Sequence, residues 1–208
     1  MDGATPQQRA VRGDRVSRTR EAIVGATLSL AMSGQIAPIV RDIAQIAGVS
    51  ARTVFQHFAD TAELYVAVLV RVLAAMADLP EPAVGWPLDR RIDGVAEALS
   101  ARFEQFLPVW PFFQGLQQRS AEAAGLMVAM YAASRTQLGQ WFASELATLS
   151  AQARERTLNA LCMALTPEGW LVLRQRLGLS PDVAREEWRF VIRAVLSAES
   201  PQTPTHPR

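Results

Sequence analysis

Apolar residues recur along this 208-residue chain at intervals of three and four, and no segment shows the strict alternation of a half-buried strand or a hairpin dipeptide. The pattern predicts an all-α protein of nine or ten helices without internal repeats. A first helix from about Arg15 places Ile23, Ala26 and Leu30 on one face, and Gly34 stands where a left-handed residue would end it. A second, from about Val40 to Ala47, stops at Gly48. A third starts behind Ser50, whose hydroxyl can cap free backbone N–H groups, and runs to about His57. Asp60 and Glu63 then form a D-x-x-E capping box before the apolar run LYVAVLVRVLAAMADL, a fourth helix expected to be buried on two sides and to join one domain to the next.

Pro80, Pro82, Gly85 and Pro87 make the plainest break in the chain. Beyond it, helical patterns cover roughly 89–107, 111–119, 121–149 and 152–165. Thr166-Pro167 and Ser180-Pro181 each set a capping hydroxyl before a proline at the first helical position, and Gly178 ends the helix between them. Residues 1–14 read as a disordered basic arm, 15–60 as a three-helix domain, 61–198 as a second helical domain and 199–208 as a disordered tail.

The segment RDIAQIAGVSARTVFQHF, residues 41–58, joins two helices too short to be stable alone at a single glycine. A steep crossing of the two needs one residue at positive φ, which glycine adopts without steric cost, and small side chains at the crossing, which Ala44 and Ala47 supply. Ile43, Val49 and Val54 then point into a core shared with the first helix. Ala51, Arg52, Thr53 and Gln56 are left facing outward. An arginine fork suits the O6/N7 edge of guanine, glutamine suits the N6/N7 edge of adenine, and alanine or a threonine methyl packs on thymine's methyl. The pattern is a helix-turn-helix with base-reading side chains, preceded by the basic cluster Arg9, Arg12, Arg15, Arg18 and Arg20.

Residues 15–64 resemble the DNA-binding domain of the tetracycline-repressor (TetR) family. The residues that carry the resemblance are Arg20-Glu21-Ala22-Ile23, then Val40 to Ser50 throughout, then Thr53-Val54-Phe55-Gln56-His57-Phe58. The rest of the chain resembles the family in length, helical content and the late segment GWLVLRQRLGLSPDVAREEW. The resemblance implies base-edge contacts from Arg41, Ala51, Arg52 and Thr53, and phosphate contacts from Gln56 and His57, with Ser50 and Phe55 in the same surface. Three positions depart from the family pattern: Phe55 stands for the usual tyrosine, Ile39 for a common threonine and Thr61 for a common lysine. Each departure removes a phosphate anchor, which predicts weaker or more arm-dependent binding.

Charge sharpens this picture. All 21 basic residues are arginine; residues 1–58 carry seven of them against four acidic residues, and the remainder fourteen against sixteen, so the basic end comes first. The local field decides where a polyanion docks, and a near-neutral whole does not exclude nucleic acid. An enzyme finds little support. The two histidines are His57 and His206, no zinc-ligand spacing, phosphate loop or nucleophile elbow is present, and no catalytic residue, metal or cofactor is assigned. Cys162 sits in the apolar run LNALCMAL as packing material. No stretch has the form of a secretory signal or a membrane span, so the expected location is cytoplasmic.

The second domain is rich in large side chains. Phe103, Phe106, Trp110 and Phe113 precede Met127, Met130, Tyr131 and Trp141, and each alone reads as core. Together, with the cavity that the family resemblance implies, they are candidate walls for a small apolar or aromatic effector, with Gln114, Gln117, Tyr131 and Gln137 as polar groups to orient it. In the closing helices Trp188, Val191, Ile192 and Val195 make one stripe and Trp170, Leu173 and Leu177 another, which predicts a four-helix bundle across a two-fold axis. The expected protein is a homodimeric regulator, a repressor released from a palindromic operator in double-stranded DNA by that effector. The alternative is a DNA-binding dimer with no small-molecule effector. Neither has a membrane partner.

Overall fold

The computed structural model describes residues 6–77 and 85–198, with side chains from Gly13 onward. Eleven α-helices are present among the described residues: α1 Pro6–Met32, α2 Val40–Ala47, α3 Ala51–His57, α4 Thr61–Ala77, α5 Leu88–Phe106, α6 Trp110–Gln117, α7 Ala121–Trp141, α8 Ala143–Ala147, α9 Ala151–Ala164, α10 Pro167–Leu171 and α11 Pro181–Ala198. A 3-10 turn, Leu107–Val109, precedes α6, and a π turn, Val172–Arg176, follows α10. No described helix is long and apolar enough to cross a membrane. The all-α class is as expected. The helix count exceeds the sequence estimate because the single helix expected over 121–149 breaks at Phe142, which leaves helical geometry at φ −113° and ψ 26°.

The first helix also differs. It begins at Pro6 rather than near Arg15, so residues 6–14 of the expected disordered arm are helical. Proline is favoured at a first helical position, and the following Gln, Arg and Ala residues are good helix formers. Residues 1–5 of that arm and the expected tail at 199–208 lie outside the described residues.

The chain divides into two compact units: residues up to Ala75 with Pro108–Leu126, and Met76–Leu107 with the residues from Met127 on. In the first, Ile23, Ala26 and Leu30 of α1 pack with Ile43 of α2 and Val54 of α3, all buried. Leu64, Val68, Leu69 and Val72 form the buried face of α4. Its N-terminus is capped by Asp60 Oδ1, which accepts the Glu63 N–H at 2.8 Å, while Glu63 Oε2 accepts the Ala59 N–H at 2.7 Å. The reciprocal bond thus reaches one residue earlier than a standard capping box.

In the second unit α5 and α11 lie antiparallel, joined by a ladder of ion pairs one helical turn apart: Arg185 Nε to Glu97 at 3.0 Å, Arg189 Nε to Asp93 at 2.9 Å and Arg193 Nε to Asp89 at 2.9 Å. Such partly exposed pairs are worth about 0–1 kcal/mol each, so their effect is on register more than on stability. Beneath them Trp188 of α11 tilts against Trp170 of α10 with centroids 4.7 Å apart and meets Phe103 of α5 edge-on at 5.8 Å. Glu104 accepts the Trp170 indole N–H at 2.8 Å and two bonds from Arg174 at 2.9 Å. The Arg174 bond first, and then the indole bond, hold its carboxyl below the usual carboxylate range against the opposing effect of burial. Gly169 is required where α10 starts, because a Cβ there would stand 2.3 Å from the Ala164 carbonyl oxygen. The caps at Thr166 and Ser180 form as expected, Thr166 Oγ1 accepting the Gly169 N–H at 3.0 Å and Ser180 Oγ the Val183 N–H at 3.3 Å.

Candidate nucleic-acid interface

The turn between α2 and α3 is built on Gly48, at φ 67° and ψ 32°. Its N–H donates to the Gln45 carbonyl at 3.3 Å and the Val49 N–H donates to the Ala44 carbonyl at 3.0 Å, the paired bonds of a left-handed helix end. Nothing lies within 4 Å of a Cβ built on Gly48, so the demand for glycine is conformational alone. Gly48→Ala is therefore expected to lower unfolding free energy by about 1–2 kcal/mol, read as a shifted urea midpoint with an unchanged slope.

Ser50 caps α3: its Oγ accepts the Thr53 N–H at 3.0 Å and lies 2.9 Å from the Thr53 hydroxyl. Val54 is buried beneath the helix, and Phe58 closes it. Ala51, Arg52, Phe55 and Gln56 are exposed, Thr53 and His57 half-buried. Among the described residues the Arg52 side chain makes no ion pair or hydrogen bond, so its fork is uncommitted. Arg41 opens α2, with Nε 3.1 Å from Asp42 Oδ1 and its side chain largely in solvent.

Two arginines of the basic cluster have internal uses that the sequence did not reveal. Arg20 donates to the His57 carbonyl at 2.8 Å and lays its guanidinium 4.1 Å over the Phe58 ring, which ties the last turn of α3 to α1. Arg18 pairs with Asp14 at 2.7 Å. Tyr65 of α4 donates to the Pro38 carbonyl at 2.5 Å, just before α2, and meets Phe112 edge-on at 5.1 Å. Burial, partly offset by Arg119, pushes the Tyr65 phenol above its ordinary range.

The candidate effector residues are divided between the two units. Trp110 and Phe113 belong to the first unit, where they face each other edge-on at 6.1 Å; Phe103, Phe106, Met127, Met130, Tyr131 and Trp141 belong to the second. Except for Met130 and Tyr131 they are buried. Tyr131 donates to Glu168 at 2.7 Å, and burial with that bond raises its phenol strongly. Trp141 has a buried indole N–H without a partner among the described residues. Gln114, Gln117 and Gln137 are half-buried, as is Cys162, which is less enclosed than its apolar run suggested.

The expected dimer surface needs correction. Trp170, Trp188 and Ile192 are 0 %, 2 % and 0 % exposed within one chain, so they are core and cannot meet a second copy. Leu173, Val191 and Val195 are half-buried, and Leu177 is exposed. Among the described residues the large apolar side chains that α11 turns outward are Phe190, 67 % exposed, and Val183, 47 %, and Leu177 before it is 62 % exposed. A large apolar residue off the main stripe, two positions from Trp188, was the available signal for Phe190.

No family model matches the sequence, and no curated protein matches it. Among solved structures, the chain is similar to a transcriptional regulator from Rhodococcus sp. Rha1 (TM-score 0.65, 18 % identity, 88 % of this chain and 96 % of that one). It is also similar to a TetR-family transcriptional regulator from Streptomyces coelicolor (TM-score 0.63, 22 % identity, 89 % and 94 %). A third is NalD, the secondary repressor of the MexAB-OprM multidrug efflux pump in Pseudomonas aeruginosa (TM-score 0.56, 23 % identity, 86 % and 96 %). The chain has the fold of TetR-family transcriptional regulators.

Proposed function

We propose, from that fold, that this protein is a non-enzymatic transcriptional regulator of the TetR type that binds operator DNA as a homodimer and acts as a repressor. The observation that carries the reading is the Arg52 guanidinium, uncommitted among the described residues, on the exposed face of a capped, glycine-turned helix. Arg41 at the start of α2 supplies a second cation to the same surface. One such helix reads only a few base pairs, and a second copy at a suitable spacing gives useful specificity, which favours a palindromic operator. The exposed apolar side chains Phe190 and Leu177 are the candidate contact for that second copy. The repressor sense draws on the similar NalD. The expected location is the cytoplasm, where the chromosome of a bacterial cell lies.

Arg52→Ala is expected to cost roughly 1–3 kcal/mol on a duplex selected by the protein from a random pool and little on random DNA, whereas His57→Ala weakens both alike. Mobility-shift titrations of both variants on both duplexes test this. An equal loss on both from Arg52→Ala sinks the base-reading role.

Release by a small apolar or aromatic effector is the finer form of the proposal, supported by the aromatic content of the second unit. The effector-free dimer is favoured by one observation: Phe103 and Trp141 are buried, Phe103 against Trp188, so a ligand has to open packed side chains to enter there.

A further inference from the structure

We propose that α3 reads thymine through its methyl group, with Phe55 as the specificity-determining residue beside the Arg52 fork. The inference rests on the DNA-binding reading above and adds what the helix recognises. Positions 51 and 55 lie one turn apart, so Ala51 and Phe55 form an apolar row next to the polar row of Arg52 and Gln56. Phe55 is 52 % exposed and makes no ring contact among the described residues, although the helix it stands on is only seven residues long. A phenyl ring offers a phosphate no hydrogen bond, and covering a phosphate with it removes water without replacement. In the major groove the one apolar base substituent of unmodified DNA is the C5-methyl of thymine, and a phenyl ring gains by burying it.

Thr53 fits the same reading. Its N–H donates to Ser50 Oγ at 3.0 Å and its hydroxyl lies 2.9 Å from the same atom, so the polar end of the side chain is held at the helix cap. Ile39, before α2, is exposed and caps nothing with its side chain, a second place on this unit where an apolar group stands without a hydroxyl. The recognition surface thus sets several apolar groups beside the guanidinium groups of Arg52 and Arg41 and the amide of Gln56, a composition suited to half-sites in which thymines flank a guanine.

The test uses the full-length protein and the duplex it retains from a random pool. Thymines of each half-site are replaced singly by deoxyuridine, which removes the methyl and leaves base pairing unchanged. At least one replacement per half-site is expected to weaken binding about fourfold, the effect of exposing one buried methyl-sized group. In Phe55→Ala that sensitivity disappears, while Phe55→Tyr, which keeps the ring and the fold, retains it. Unchanged binding for every uracil duplex, or equal sensitivity in Phe55→Ala, overturns the methyl reading and leaves DNA binding standing. A protein that retains no duplex overturns both.

Discussion

Trp188→Ala is expected to lower the unfolding free energy by about 3–5 kcal/mol, the usual range for emptying a buried tryptophan site. Trp188 is 2 % exposed and touches Trp170 and Phe103, so its removal opens a cavity bounded by two more rings, of which Trp170 is further held by the Glu104 bond. That bond limits how far Trp170 can move to fill the space. Urea denaturation measures the loss. The result also separates two roles that the sequence confounded. A core tryptophan lowers stability and leaves the dimer dissociation constant nearly unchanged; an interface tryptophan does the reverse. Phe190→Asp is the matched control for the proposed dimer: at 67 % exposure it is expected to shift sedimentation to the single protomer while the fold is kept.

Arg91→Ala should approach this, at about 3 kcal/mol, because removing the buried member of an ion pair leaves a half-buried carboxylate without its partner. The Arg91 residue is 5 % exposed. It donates to Glu145 through both Nη atoms, to the Trp141 carbonyl at 2.8 Å and to the Trp86 carbonyl at 3.1 Å. The side chain therefore joins the first turn of α5 to the end of α7 and to α8. Its loss leaves a carboxylate and two carbonyl oxygens short of donors in a poorly solvated place. Replacing Arg91 and Glu145 together by apolar residues of similar volume is expected to cost much less than Arg91→Ala alone, since no charge is then stranded. If the single and double variants unfold at the same urea concentration, the clamp contributes only packing.

These two residues show where sequence reading succeeds and where it runs out. Gly48, Ser50, Thr166, Gly178 and Ser180 were legible because caps and left-handed turns are set by the residue and its immediate neighbours: Gly178 is at φ 67°, as Gly48 is. The buried face of α1 and the crossing of α2 and α3 were legible because the three helices are consecutive and have little else to pack on. Trp188 was not. A helical stripe shows that a face is covered and is silent on whether the cover is the same chain or another copy. Nothing sets Arg91 apart from the other arginines in the sequence, since periodicity carries no information about a glutamate 54 residues away. The α5–α11 ladder was available in principle: acids at 89, 93 and 97 and arginines at 185, 189 and 193 share a four-residue spacing. Seeing it requires knowing that the two helices are antiparallel neighbours.

Within the recognition unit the exposed row of α3 followed from the buried position of Val54. The role of Arg20 did not, because a basic cluster reads as a single field until one member is found turned onto the Phe58 ring. Of that cluster, Arg18 is paired to Asp14 and Arg20 serves the fold.

Backbone amide hydrogen exchange of the full-length protein, with and without the selected duplex, tests most directly which surface touches DNA. Slowed exchange is expected in α3 and in the first turn of α2 on duplex binding, with loss of that slowing in Arg52→Ala at matched concentration. Protection confined to α7, α9 or α11, with α3 unchanged, would contradict DNA binding through α3.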